Sequence, residues 1–308
     1  MSVLEHHDHL GEWVKCSPHN QCGINISDMD PSDFCGGVAV ITGAGSGFGA
    51  SLAQRFSHAG MNIVALDIDA VRAEQTAESA RTAGIKAIAM GVDVANRTSL
   101  ETAATATDAA FGACTVLCAN VGVQQFGAID RLTEQDWRWV LDVNVLGVIH
   151  TVNAFLPLLR RSQGQRRIAI TSSSAALTPG VRMGAYTMSK YAVTGYAETL
   201  RMELAAESIG VSIIFPAGMI TRHLESSAAA RPAELGKSEF RREDIDAMMA
   251  SRKMQSASHV ATAEHATRHV LADLAANERY IITHGEYSDN LRTSHADIMR
   301  AHARAQTD

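Results

Sequence analysis

The segment VAVITGAGSGFGA at positions 38–50 decides how the rest of the chain is read. Val38 to Thr42 form a short apolar run in which four of five residues are β-branched, and it leads straight into Gly43-Ala44-Gly45-Ser46-Gly47-Phe48-Gly49. An alanine-rich helical pattern follows at 49–59. Glycines permit a tight turn and let backbone N–H groups approach a pyrophosphate at the helix N-terminus. From Gly43 the spacing Gly43, Gly47, Gly49 reads TGxxxGxG. The GxGxxG pattern fails there, because Phe48 stands where a third glycine is needed, but a variant starting at Gly45 and ending at Ala50 can also be read. The position of the loop between strand and helix carries more weight than its glycines alone.

Outward from this segment, apolar runs alternate with helical patterns. MNIVALD (61–67), KAIAMGVDV (86–94), VLCAN (116–120), RIAITS (167–172), VSIIFP (211–216) and RYIITH (279–284) read as strands, and 70–83 and 97–112 as helices. Near-continuous apolar strands separated by helices predict a parallel sheet covered on both faces. The expected fold is therefore α/β, a single Rossmann-type doubly wound domain with about seven central strands. Residues 1–35, rich in His, Asp, Asn and Cys, read as a partly ordered extension, 36–290 as the domain, and 291–308 as a helical tail. A long polar stretch, 222–257, interrupts the alternation and reads as a lid over a substrate.

Composition narrows the function classes. A net charge of −6 with no Lys/Arg-rich run gives no footprint for nucleic acid. No apolar stretch approaches the roughly 20 residues that span a bilayer, so no membrane partner is expected. Five cysteines without a disulfide framework, and an N-terminus lacking the apolar core of a signal peptide, lead to a cytoplasmic expectation. Cys16, His19 and Cys22 lack the paired CxxC spacings of a zinc site, and no metal is expected. Cys114 and Cys118 flank an interior strand and read as small buried hydrophobes.

Asp67 closes the second strand, 24 residues after Gly43. A carboxylate there accepts hydrogen bonds from adenosine ribose hydroxyls and repels a 2′-phosphate. With Ser46 rather than a basic residue in the loop, the expected cofactor is NAD rather than NADP. Tyr186 and Lys190 form YxxxK at the start of a helical stretch, on one helical face. A cation so close favours the phenolate, pulling the tyrosine pKa down from about 10. Oxidising an alcohol needs a base for the hydroxyl proton, and this pair supplies one. Ser173 ends a strand 13 residues before the tyrosine, at the edge where such sheets hold ligands.

Taken together, Thr42-Gly43…Gly47-Phe48-Gly49, Asp67, Asp93-Val94, Ala119-Asn120-Val121-Gly122, Asn144, Ser173 and Tyr186-Thr187-Met188-Ser189-Lys190 resemble the short-chain dehydrogenase/reductase family over residues 36–290. The resemblance implies that Ser173 holds and polarises the substrate oxygen while Tyr186 exchanges the proton. It implies that Lys190 holds the nicotinamide ribose and that Asn144 anchors a water leading to solvent. For the cofactor it implies Gly43, Gly45, Ser46, Gly47, Phe48 and Gly49 around the phosphates, Asp67 and Ile68 at the ribose, and Asp93 and Val94 at the adenine. Asn120, Val121 and Gly122 lie along the dinucleotide, with Pro216, Gly218, Met219 and Thr221 beside the nicotinamide. Three places depart from the family pattern: its NNAG reads Ala119-Asn120-Val121-Gly122, which keeps the Asn and Gly, Ala217 follows Pro216 in place of glycine, and the 35-residue extension has no counterpart.

The expected reaction is oxidation of a secondary alcohol to a ketone on a hydrophobic, aromatic substrate. The pocket is expected between Ser173, Tyr186, Val123 to Phe126, 178–183 and the insertion, with Arg182 and Arg222 leaving room for one anionic or polar group. Arg231-Pro232-Ala233 and Tyr280-Ile281-Ile282 are similar to stretches of bacterial dehydrogenases that act on the benzylic alcohol of lignin-type aryl ethers. A steroid or terpenoid alcohol is the alternative substrate. An NAD-sensing regulator without turnover, or an epimerase or dehydratase, are the alternatives in other classes. The resemblance implies a homodimer or homotetramer, and a packing role for Trp137.

Overall fold

The computed structural model describes residues 34–221, 223–236, 241–251 and 260–306. The seven apolar runs form seven strands: β1 (Val38–Thr42), β2 (Asn62–Asp67), β3 (Ala87–Gly91), β4 (Val116–Ala119), β5 (Arg166–Thr171), β6 (Ile209–Phe215) and, last in sequence, β9 (Tyr280–Ile282). All pair in parallel, in the order β3-β2-β1-β4-β5-β6-β9. Two short strands, β7 (Gly218–Met219) and β8 (Val260–Ala261), pair separately. Every residue of β1, β4 and β6 is buried, as a sheet covered on both faces requires.

Eleven helices are described: α1 (Gly47–His58), α2 (Ala70–Thr82), α3 (Arg97–Phe111), α4 (Glu134–Leu141), α5 (Gly147–Arg161), α6 (Gly184–Leu204), α7 (His223–Ala229), α8 (Arg242–Ser251), α9 (Ala263–Ala266), α10 (Val270–Ala275) and α11 (Ser288–Ala305). One face of the sheet packs on α3, α5 and α6 through Leu100, Val152, Phe155 and Val193. The other packs on α1, α2 and α10 through Leu52, Phe56, Ala77 and Leu274. Phe34, inside the stretch read as an extension, is buried in this second core. Cys114 and Cys118 are fully buried, and burial pushes both thiols up. The Cys16, His19, Cys22 group lies outside the described residues.

A π-helical turn, Asp142–Leu146, joins α4 to α5 and turns Asn144 fully inward. The continuous run Glu134–Arg161 is long and apolar enough, by length and composition, to cross a membrane. Here its apolar residues Val148, Val152, Phe155 and Leu159 are spent on the sheet. At the far edge the chain is locked by two arginines. Arg167 donates to the carbonyls of Leu274 (2.6 Å) and Ala275 (3.1 Å), and Arg201 to Asn277 Oδ1 (3.0 Å) and its carbonyl (2.9 Å). These bonds hold the turn that delivers β9 to β6. By contrast, α11 buries none of its residues.

The order β3-β2-β1-β4 reverses direction between β1 and β4, so a crevice opens above their C-terminal ends, where ligands of such sheets bind.

Candidate active site

Thr42, Asn120 and Thr171 sit at the C-terminal ends of β1, β4 and β5 and tie them together. Asn120 donates from its backbone N–H to Thr42 Oγ1 (3.0 Å) and from Nδ2 to the Thr42 carbonyl (3.1 Å), while Thr171 Oγ1 donates to Asn120 Oδ1 (3.1 Å). The glycine loop is wrapped tightly over this floor. A Cβ on Gly49 would lie 2.1 Å from the Gly43 carbonyl oxygen, an impossible approach. Gly43 and Gly47 hold φ of +69° and +53°, which glycine adopts freely. The ambiguous spacing thus resolves to Gly43, Gly47 and Gly49 as the turn and close-approach positions. A Cβ on Gly45 would meet Asp67 Oδ2 at 2.8 Å. The Asp67 carboxylate accepts from the Gly45 N–H (2.8 Å) and the Asp69 N–H (3.0 Å), which fixes its direction into the crevice.

A cavity of about 650 Å³ occupies that crevice. Every site residue named from the sequence borders it except Gly45 and Asn144. Gly45 lies behind the loop, holding Asp67. Asn144 lies behind the β4 loop, where Oδ1 accepts from Val123 N–H (2.7 Å) and Nδ2 donates to the Val123 carbonyl and Ser189 Oγ (both 2.9 Å). Both hydrogens of its amide are therefore committed to positioning the wall that carries Val123.

Tyr186 and Lys190 face the cavity from the first turns of α6, both nearly buried. Lys190 Nζ lies 5.6 Å from the Tyr186 ring centroid and donates to the Thr171 carbonyl (2.9 Å). Burial pushes its ammonium down to about 8. A Cβ on Gly122 would come within 3.1 Å of Nζ, so glycine there keeps the approach to the lysine open. Ser173 follows β5 in extended backbone and caps a short helical turn, its Oγ accepting from the Ala175 N–H (3.1 Å).

Beyond Tyr186 the cavity runs under the insertion. Val123, Phe126, Trp139, Ala230, Leu235 and Met248 make up much of its lining there, with Gln124, Arg138 and Glu234 among them, so a largely apolar group is favoured. Trp139 borders this space, while Trp137 packs against the core residues beside it. Of 178–183 only Met183 lines it. Arg182 is turned away to pair with Asp244 on α8 at 3.0 Å, and so offers no cation to a ligand; Arg222 lies outside the described residues. The described part of the insertion is fastened to the domain at Arg231. Arg231 pairs with Asp136 at 2.6 Å, donates to Gln125 Oε1 (3.1 Å), and lies over the Trp139 ring at 5.3 Å.

His223 was not singled out from the sequence, yet its ring stands edge-on to Tyr186, centroids 6.5 Å apart. Its place two residues after Thr221, at the first position of α7, is the only hint the sequence held.

A family model described as short chain dehydrogenase matches residues 37–232. A C alpha-dehydrogenase of Sphingobium sp. (strain NBRC 103272 / SYK-6) is 33% identical over 209 residues, 68% of each chain. A short chain dehydrogenase/reductase from Burkholderia phymatum, solved in complex with NAD, superposes with a TM-score of 0.79 at 32% identity, covering 87% of this chain and 96% of that one. A short chain dehydrogenase from Mycobacterium paratuberculosis bound to NAD gives 0.68 at 27%, covering 81% and 97%.

Proposed function

This chain belongs to the short-chain dehydrogenase family of oxidoreductases, and on that premise we propose that it oxidises a secondary alcohol on an apolar, aromatic substrate to the ketone, with NAD. The observation that carries the reading is convergence. A glycine loop with no room for a side chain at Gly49, the Asp67 carboxylate at the end of β2, and the Ser173, Tyr186 and Lys190 group all border one cavity.

A dinucleotide fits this cradle. The loop N–H groups at the start of α1 suit a pyrophosphate, the Asp67 carboxylate suits ribose hydroxyls, and Asp93 and Val94 suit the adenine end. When bound, the nicotinamide supplies the hydride acceptor. Ser173 holds the alcohol oxygen and Tyr186 Oη takes its proton. The Lys190 charge, held between the Thr171 carbonyl and the Tyr186 ring, favours the phenolate form that can accept that proton. Phe126, Met183 and Met248 around the tyrosine ring exclude water from the transfer. Two things support an aromatic substrate: the largely apolar cavity walls and the similarity to the Sphingobium C alpha-dehydrogenase.

The test is a panel of aryl, steroid and terpenoid secondary alcohols with NAD and with NADP, following nicotinamide reduction. Turnover is expected with NAD and best on aryl carbinols. Tight NAD binding without turnover on any alcohol would overturn the reading in favour of a cofactor sensor. The same assay checks Asp67. Asp67→Ala removes the charge that repels a 2′-phosphate, so the NAD over NADP ratio of kcat/KM is expected to fall roughly 10–100-fold. An unchanged ratio would place the selectivity elsewhere.

A further inference from the structure

Residues 216–219 form a backbone wall of the cavity, at the end that the functional reading gives to the nicotinamide. Its shape rests on hydrogen bonds rather than on a forced turn: neither Ala217, where the chain departs from the family pattern, nor Gly218 takes a positive φ. The Pro216 carbonyl accepts from the Ser174 N–H (2.9 Å), which ties the wall to the segment of Ser173. The Met219 carbonyl accepts from the Thr221 N–H (2.9 Å), and β7 pairs with β8. The Gly218 carbonyl is answered from farther off. It accepts from Nε2 of His284, 66 positions on, at 2.8 Å.

His284 stands just past the end of β9, and both of its ring nitrogens are engaged. A carbonyl can only accept, so Nε2 carries the hydrogen, and in the neutral ring Nδ1 then accepts from the Thr283 hydroxyl (2.8 Å). Thr283 thus favours the tautomer that Gly218 needs. The ring is also buttressed from the side: His265 of α9 meets it edge-on, centroids 6.3 Å apart. In turn α9 rests on α1, the helix that follows the glycine loop. Arg55 donates to the Glu264 carbonyl (2.8 Å), and Ser51 Oγ lies 2.7 Å from Thr267 Oγ1. One line of contacts therefore joins the helix at the pyrophosphate end of the crevice to the wall at the other end, and His284 is its last link.

We infer that His284 is a positioning residue for hydride transfer: by holding the Gly218 carbonyl it sets the wall that aims the nicotinamide ring at the carbinol. This rests on the alcohol-oxidation reading above and adds to it a residue that does not itself line the cavity. Transfer is sensitive to such aim, since a displacement of about 1 Å can cost roughly 100-fold in rate. Without the donor, the Gly218 peptide is left to seek another partner, and the wall turns with it.

The experiment measures dissociation constants for NADH and for ADP-ribose, which lacks the nicotinamide, beside kcat on an aryl carbinol. It compares the wild type with His284→Phe, His284→Gln and His284→Asn, thermal melts reporting that each is folded. His284→Phe fills the same space without a donor. It is expected to bind NADH about tenfold more weakly, the worth of one carbonyl left unanswered, and to lose about tenfold in kcat, with ADP-ribose binding unchanged. His284→Gln, whose amide can reach the place of Nε2, is expected to recover most of both losses; the shorter His284→Asn is expected to recover neither. A ratio of NADH to ADP-ribose affinity that stays at the wild-type value in His284→Phe would overturn the inference, whatever kcat does, because a merely structural role weakens both ligands alike. Should His284→Phe fail to fold, the other two variants decide: a ratio kept in His284→Gln and lowered in His284→Asn supports the assignment, and equal ratios overturn it. A wild type that binds NADH yet oxidises no alcohol overturns the functional reading itself, and the inference falls with it.

Discussion

Tyr186→Phe lowers kcat by about 10³-fold, the size of a lost general base, and the protein still binds NAD. The substitution removes one oxygen from a ring that is already packed against Phe126, Ala175 and Met183, so the fold has no reason to move. The glycine loop, Asp67 and Asn120 are untouched by it. The loss is therefore expected in kcat, with the NAD dissociation constant changed by no more than about threefold. Steady-state kinetics beside a fluorescence titration with NADH separate the two. A variant that keeps a tenth of wild-type kcat would remove Tyr186 from the proton transfer. One that loses NAD binding would mean that the hydroxyl holds the cofactor instead.

Arg231→Met is the second large effect, and it falls on stability and on KM together. The Arg231 guanidinium and the Asp136 carboxylate are each only 8% exposed. Burial alone would raise the Asp136 carboxyl, but hydrogen bonds from Thr133 and Arg231 outweigh it and hold the group below the usual carboxylate range. Removing the arginine leaves that carboxylate enclosed with Thr133 as its remaining partner. The expected cost is about 3 kcal/mol, a fall in Tm of roughly 6 °C. Because Arg231 also joins the insertion to Gln125 and Trp139, substrate KM is expected to rise with it. The sign with pH is set by the direction of the shift. A depressed carboxyl contributes stability above its unfolded pKa and loses it as pH falls, so the gap between wild type and variant narrows below about pH 4. Adding Asp136→Asn to Arg231→Met removes the stranded charge and is expected to recover part of the loss. Thermal melts of the three variants at neutral and acid pH check this, and a double variant no better than the single one would sink the ion-pair explanation.

The sheet, the glycine loop and the Ser173, Tyr186, Lys190 group were legible because each leaves a local mark. Strands buried on both faces must be apolar throughout, a loop that meets its own backbone at Gly49 must be glycine, and two groups on one helical face must be four apart. The insertion obeys no such period. Arg231 finds Asp136 across 95 positions, and nothing near either residue announces the other. Arg182 looked like a free cation because Asp244, its partner, lies on a helix that the composition of the insertion did not reveal. Trp139 and Trp137, two apart on α4, point to different surroundings, and only the crossing of α4 with the insertion decides which one meets the cavity. His223 is one histidine among 13, and its meaning comes entirely from the ring it faces.

The far edge of the sheet has a consequence during synthesis. β5 and α6, which carry Ser173, Tyr186 and Lys190, leave the ribosome well before the turn at 274–278 and β9 exist. Until Arg167 and Arg201 find that turn, β6 (IGVSIIF) is an outermost strand with an unanswered ladder. An exposed apolar strand is a template for another chain, so the interval between the making of the catalytic groups and the arrival of Tyr280–Ile282 is when two nascent copies are most apt to pair wrongly. The two arginines, already made on β5 and α6, supply the donors that fasten the turn beside β6 once the last segment emerges.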